Sequence, residues 1–285
     1  MKIGEALNWA EEKLKEAGIE ESQIESEIFL EEELGLERAK IYLNFHKTIP
    51  LNLDSLKNKI IKRAKHIPLA YILGKTQFMG FDFLVDERVM IPRQETEILV
   101  EAVIKKYVDS PLIVDIGTGC GNIAIALAKS IPCFRIYATD ISSEALELAR
   151  ENAKKNAVSK ERISFLQGDL FKPLNDLNLF NKIDILVSNP PYIPSGEIEN
   201  LPSEVLFEPR IAIDGEFDGL GFYRKIINES PLYLKNGGYL FLEIGFNQAD
   251  EVKRLISKNS NFTKPDVVLD YMGIDRIIFT QKRDK

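Results

Sequence analysis

From residue 93 onward, short apolar runs alternate with longer amphipathic stretches, and no other feature restricts the fold so far. Helical spacing covers 95–107 (ETEILVEAVIKKY), 122–130 (NIAIALAKS), 143–156 (SEALELARENAKKN) and 247–258 (NQADEVKRLISK). Strand-like runs lie at 112–116 (LIVDI), 135–139 (RIYAT), 163–167 (ISFLQ), 183–188 (IDILVS), 239–244 (YLFLEI) and 276–281 (RIIFTQ). Parallel neighbours need a long crossover, and a helix is the usual one. The order therefore predicts an α/β fold, with helices on both faces of a mostly parallel sheet.

Residues 1 to about 66 follow a different rhythm. Ile3, Leu7, Ala10, Leu14 and Ala17 recur at helical spacing, and Gly18 marks a stop. Ile24, Ile28, Phe29 and Leu34 repeat the pattern up to Gly35. Leu53, Leu56, Ile60, Ile61 and Ala64 form a third stripe after Pro50. Three or four short amphipathic helices are expected, with Trp9 and Phe29 packed in their core. The next stretch, residues 68–92, alternates apolar and polar positions, carries Gly74, Gly80 and Pro92, and reads as a β-hairpin or two short strands joining two domains. The expected division is a helical domain over 1–67, a hairpin linker over 68–92 and a catalytic domain over 93–285.

Charge and composition narrow the function. The formal net charge is -7, from 37 basic and 44 acidic residues, which removes the broad attraction to phosphates that nucleic-acid enzymes exploit. Cys120 and Cys133 form no CxxC pair, and with only His46 and His66 besides, no zinc site is expected. The glutamate-rich start lacks the apolar core of a signal peptide, and no run approaches the ~20 apolar residues of a membrane span. A cytoplasmic, monomeric enzyme is expected, with no membrane and no stable nucleic-acid partner.

Three strand ends carry the chemistry. Strand 112–116 runs into Asp115-Ile116-Gly117-Thr118-Gly119-Cys120-Gly121, where the backbone must turn sharply and come close to a ligand. The spacing is GxGxG, since position 122 is Asn, which weakens a dinucleotide reading and leaves a structural turn as the other possibility. Asp140 ends the next strand beside that loop, where its carboxylate can accept both ribose hydroxyl hydrogens or cap the following helix. Asp169, after the third strand, can accept from an adenine amino group with Leu170 against the ring, or simply make a turn. After strand 183–188 comes Asn189-Pro190-Pro191-Tyr192. The prolines immobilise the backbone, the Pro190 carbonyl and the Asn189 side-chain carbonyl offer two acceptors, and Tyr192 offers an aromatic wall. Such a site suits a planar NH₂ group, each hydrogen bound and the π-system held flat.

The glycine loop 115–121, Asp140 and Asn189-Pro190-Pro191-Tyr192 together resemble the class I S-adenosylmethionine-dependent methyltransferases. More narrowly, the chain resembles the peptide chain release factor N5-glutamine methyltransferases, through PLAYILGKTQFMGFDFLV (68–85), IPRQETE (91–97), LFEPRIAIDGEFDGLGFYRKI (206–226) and EIGFNQ (243–248). The resemblance implies a seven-stranded, mostly parallel Rossmann-like sheet with a small N-terminal helical domain, joined by a β-hairpin linker. It implies S-adenosylmethionine as cofactor, S-adenosylhomocysteine as product, and class 1 peptide chain release factors as partners. Cofactor binding is carried onto Gly117, Thr118, Gly119, Cys120, Gly121, Asp140, Asp169, Leu170 and Asn189. Catalysis is carried onto Asn189, Pro190 and Tyr192, with Pro191 joining them in substrate binding. Gln94 stands where the family usually has proline, and Leu170 where some relatives carry an aromatic. An amide nitrogen is a poor nucleophile and no base is evident near the motif, so the expected catalysis is by positioning. The Asn-Pro-Pro-Tyr clamp also suits an adenine-N6 methyltransferase of DNA or RNA, or a glutamine methyltransferase of a ribosomal protein. A non-catalytic cofactor binder would have no use for the clamp.

Overall fold

A computed structural model describes residues 1–48, 52–107, 109–132 and 135–284. Pro50 and Cys133 lie outside the described residues. Contacts divide the chain into two units, Met1–Gly74 with Pro202–Phe207, and Lys75–Leu201 with Glu208–Lys285. No helix among the described residues is long and apolar enough to cross a membrane.

The first unit is helical. Its helices are α1 (Ile3–Glu16), α2 (Ser22–Leu34), α3 (Arg38–Leu43), α4 (Leu53–Arg63) and α5 (Leu69–Leu73). Ile3, Leu7, Ala10 and Leu14 of α1 close on Phe29, Leu30, Ile41, Leu56 and Ile60, as their spacing predicts. Helix α2 departs from its apolar stripe: Ile24 is exposed, while Ser22, Glu25 and Ser26 are buried with Phe29. The reason is an ion pair. Arg63 donates from Nε and Nη2 to Glu25 at 2.5 and 2.9 Å, and from Nη2 to Glu204 at 2.5 Å. A guanidinium fork matches a carboxylate in this two-bond geometry, so a buried Glu25 keeps its charge partner. Residues 69–73, read from the sequence as part of the hairpin, form a turn of helix instead. Pro68 stands at its N-cap, and Gly74 closes it at φ 69°.

In the second unit, β1 (Lys75–Phe78) and β2 (Phe81–Leu84) form the hairpin. Its two-residue turn, Met79-Gly80, has φ of 52° and 74°, the mirror-image turn that suits strand twist. Buried Asn152 fastens the hairpin: its Oδ1 accepts from Leu84 N at 2.6 Å, and its Nδ2 donates to Leu84 O and Cys120 O, both at 3.0 Å.

The main sheet holds seven strands: β3 (Leu112–Ile116), β4 (Arg135–Asp140), β5 (Ile163–Gln167), β6 (Ile183–Ser188), β7 (Leu234–Glu243), β8 (Asp266–Leu269) and β9 (Asp275–Gln281). Their order is β5-β4-β3-β6-β7-β9-β8, parallel except that β9 runs antiparallel to both β7 and β8. The helices are α6 (Gln94–Lys106), α7 (Asn122–Ser130), α8 (Ser143–Lys155), α9 (Arg210–Ile213), α10 (Gly221–Tyr233) and α11 (Ala249–Lys258). Helices α6, α7 and α8 pack in a row, while α10 packs with α11. The apolar core of α10 and α11, including Tyr223, Ile226, Val252 and Ile256, meets Val114, Leu186, Leu240 and Ile278 of the sheet. Burying each such side chain stabilises the fold by about 1.5–3 kcal/mol. The strand order reverses between β3 and β6, which pair with Ile116 opposite Ser188. In open α/β sheets, that reversal opens a crevice at the carboxyl ends of the strands.

Candidate active site at the carboxyl edge of the sheet

The crevice is a cavity of about 280 Å³. Gly117, Gly119, Asp140, Leu170, Asn189 and Pro190 line it, with Thr118, Cys120, Asp169 and Pro191 alongside. Two expected residues are placed elsewhere. Gly121 caps α7 at φ 83°, and a Cβ there would press on Ile125 at 3.1 Å and Ala149 at 3.2 Å, so it serves helix packing. Tyr192 does not line the cavity, and its ring packs against the core of the sheet.

The glycine loop hangs from the neighbouring strand. Gly117 N and Thr118 N both donate to Thr139 O, at 2.8 and 2.9 Å. Gly119 has φ of 55°, and a Cβ there would meet nothing within 4 Å, so a side chain would project into open space at the cavity. Below the loop, Asp115 is fully buried and accepts from Thr118 Oγ1 at 2.6 Å. Its other oxygen has no partner among the described residues, and burial pushes the carboxyl up to about 7.

Asp140 holds the loop in register. Its Oδ2 accepts from Gly119 N at 2.8 Å and its Oδ1 from Ser142 N at 2.9 Å. Burial raises its pKa, against the pull of these backbone donors. The cap of α8 is Ser142, whose Oγ accepts from Ala145 N at 3.1 Å. A carboxylate has about four lone-pair positions, so Asp140 retains acceptor capacity. Asp169 pairs with Lys172 at 2.9 Å, and Leu170 stands in the left-handed region at φ 50° with its carbonyl taken by Thr139 Oγ1.

The Asn-Pro-Pro-Tyr segment is fastened on both sides. Ser188 Oγ donates to Ile116 O at 2.7 Å, joining β6 to β3 just before the motif. Beyond it, Gln248 Nε2 donates to Tyr192 O at 2.9 Å. Gly219 leaves room for this bond, because a Cβ there would come within 2.4 Å of Tyr192 O. Burial pushes the Tyr192 hydroxyl up to about 12, so it remains a neutral phenol. Pro190 is buried, and no hydrogen bond to its carbonyl is made among the described residues. Asn189 Nδ2 donates to Thr96 Oγ1 at 3.2 Å, which leaves its Oδ1 as the acceptor for a ligand. Glu243, at the end of β7, lies behind this pair and is 1% exposed. Burial pushes its carboxyl up to about 7, with the Thr96 and Asn189 side chains and the Arg276 charge pulling the other way.

Thr96, Glu243 and Gln248 escaped the reading of single motifs. Glu243 had a signal, since it ends a strand at the same edge as Asp140 and Asn189. Thr96 falls within the segment 91–97 that carries the family resemblance, but inside a helix no residue pattern marked its role.

A glycine loop, an acid ending the next strand and Asn-Pro-Pro-Tyr, gathered at the reversal of a seven-stranded sheet, define a Rossmann-like methyltransferase. Known proteins narrow this class. The family model described as "Methyltransferase small domain" matches residues 93–208, and "PrmC N-terminal domain" matches residues 5–74. The release factor glutamine methyltransferase of Geobacter sulfurreducens is 40% identical over 97% of this chain and 95% of its own length. That of Moorella thermoacetica is 39% identical over the whole of both chains. A methyltransferase structure from Pyrococcus furiosus shares the fold, with TM-score 0.54 and 18% identity over 80% of this chain and 96% of that one. The chain belongs to the release factor glutamine methyltransferase family.

Proposed function

We propose that this enzyme transfers a methyl group from S-adenosylmethionine to the side-chain amide nitrogen, N5, of the glutamine in a Gly-Gly-Gln motif of class 1 peptide chain release factors. The observation that carries the proposal is the arrangement at Asn189. Asn189 and Pro190 line the cavity beside the glycine loop, and Asn189 Nδ2 is engaged by Thr96. No hydrogen bond to the Pro190 carbonyl is made among the described residues, so Asn189 Oδ1 and that carbonyl are two available acceptors. Two acceptors select a flat NH₂ with two hydrogens and reject carboxylates and thiols. The names of the Geobacter and Moorella relatives support glutamine of a release factor as the amide.

The cavity suits the cofactor on geometry. Side chains at Gly117 and Gly119 would extend into open space, and Asp140 keeps lone pairs beyond its two backbone bonds. Asp140 would hold the ribose hydroxyls, Asp169 the adenine amino group, and Leu170 one face of the ring. When bound, S-adenosylmethionine supplies an electrophilic methyl whose bonding pair departs with sulfur as a thioether. Asn189 and Pro190 bind the two amide hydrogens and aim the nitrogen lone pair along the line of displacement. As positive charge grows on nitrogen, both hydrogen bonds strengthen, which favours the transition state over the ground state. The surplus proton then leaves the methylated nitrogen for solvent. Tyr192, half-buried and with its carbonyl tied to Gln248, anchors the proline pair rather than walling the cavity. We assign the helical region 1–67 to docking of the protein acceptor.

Methyl-labelled cofactor incubated with a release factor, followed by mapping of the modified residue by mass spectrometry, tests the proposal. Label is expected on the Gly-Gly-Gln glutamine alone. Asn189→Ala should reduce the rate by about 10²–10³, the usual effect of removing one oriented hydrogen-bonding group. Efficient labelling of bare DNA or RNA, with none on release factors, would overturn the assignment.

A further inference from the structure

A side-chain amide can face either way round, and only one orientation of Asn189 serves as an acceptor. The neighbouring groups decide which. Thr96 is 1% exposed and lies on α6, and its Oγ1 takes Asn189 Nδ2–H at 3.2 Å. Glu243, 1% exposed at the end of β7, faces both Thr96 and Asn189. An ionised carboxylate only accepts, so the Thr96 hydroxyl hydrogen is drawn to Glu243 and the Thr96 lone pairs turn to Asn189. Those lone pairs can bind only the NH₂ end of the amide. With that end engaged, Oδ1 must face the cavity.

We infer that Thr96 and Glu243 are positioning residues for methyl transfer, a buried relay that fixes the orientation of the Asn189 amide so that its oxygen meets the acceptor. The inference rests on the proposed role of Asn189. Its physical content is preorganisation: the Thr96–Asn189 bond is already made in the free enzyme, so this amide needs no reorientation at the moment of reaction. Several groups bear on the ionisation of Glu243. Arg276 on β9 favours the carboxylate, Glu95 on α6 opposes it, and the Tyr192 and Tyr223 hydroxyls lie close by. Burial holds the pKa near 7, so falling pH protonates Glu243 and relaxes the relay.

The test compares Thr96→Val, Thr96→Ser and Glu243→Gln with the unmodified enzyme. All three should retain cofactor affinity by calorimetry, because none of the replaced groups is assigned to cofactor binding. At saturating cofactor, Thr96→Val and Glu243→Gln should lower kcat by about 10-fold or more, below the full loss of the Asn189 group itself. Thr96→Ser, which keeps the hydroxyl, should recover most of the rate. The kcat of the unmodified enzyme should rise with pH through about 7, and Glu243→Gln should flatten that rise. A readout without acceptor completes the test. By NMR, the Asn189 Nδ2 hydrogens should exchange with solvent faster in Thr96→Val and Glu243→Gln than in the unmodified protein. If exchange is unchanged, or if Thr96→Val turns over within twofold of the unmodified enzyme, the relay is refuted. Should the unmodified enzyme label no glutamine at all, the proposed function fails while the exchange measurement still judges the relay.

Discussion

Two buried carboxyls, Asp115 and Glu243, sit at about 7, and they differ in what they do. Glu243 has Arg276 close by, whereas Asp115 has only Thr118 Oγ1 and a backbone donor against the cost of burial and the nearby Asp140 charge. The folded protein therefore keeps a proton on Asp115 that the unfolded chain releases near its ordinary 3.8. The folded state binds more protons between those values, so this group's contribution to stability falls as pH rises from about 4 to about 7. Asp115→Asn keeps an oxygen for Thr118 and carries no charge. It should raise the melting temperature more at pH 8 than at pH 5, where only part of the loss between about 4 and about 7 has been incurred. Equal effects at the two pH values, measured by calorimetry, would argue that ionisation is not the cause. Asp140 makes a contrasting case. Its replacement by alanine removes the proposed ribose contact and two backbone bonds that hold the glycine loop. Since the ribose is remote from the reacting methyl, Asp140→Ala should weaken cofactor affinity more than it lowers kcat at saturation. Titration calorimetry set beside saturation kinetics distinguishes the two effects.

Among the elements, the segment after β6 depends on pieces distant in the chain. Thr96 and Gln248, which hold Asn189 and Tyr192, lie 93 and 56 residues from them. No local pattern encodes such partners, which is why the motif was legible while its supports were not. The same division runs through the fold. Strands β3, β5 and β6 were readable to the residue because their apolar runs are bounded by turn residues. Strand β8 has only four residues, two of them exposed, and α10 carries Pro231, so neither has a clean period. The buried face of α2 was misread because a paired Glu25 counts as polar in any periodicity, although Arg63 makes it a core residue. Gly219 yields a prediction at this scale. Its φ is 71° and a Cβ would collide with Tyr192 O, so Gly219→Ala must displace the segment carrying Asn189. The positive φ alone costs about 1–2 kcal/mol. We expect a lower melting temperature and a reduced kcat with cofactor affinity intact, because the loops proposed to bind the cofactor follow β3, β4 and β5. An unchanged kcat would show that Gln248 alone suffices to hold the segment.

At the scale of the whole molecule, the path of the chain departs from simple succession. Pro202–Phe207 leaves the second unit to complete the first, where Glu204 meets Arg63. Arg63→Ala should destabilise the first unit by about 3–5 kcal/mol, because it strands Glu25 as an unpaired buried charge. Glu204 is 42% exposed at its side chain, so Glu204→Gln should cost under about 1 kcal/mol. Urea unfolding of the two variants checks the contrast, and comparable losses would mean that Glu204 is worth more than its exposure implies. The same path orders events during biosynthesis. Glu204 follows Arg63 by 141 residues. At roughly 5–20 residues per second, a nascent chain waits on the order of ten seconds between exposing the two. Through that interval Arg63 can clasp Glu25 alone. The unit that leaves the ribosome first is thus the one finished late, and a ribosome stalled before residue 202 would present it one carboxylate short.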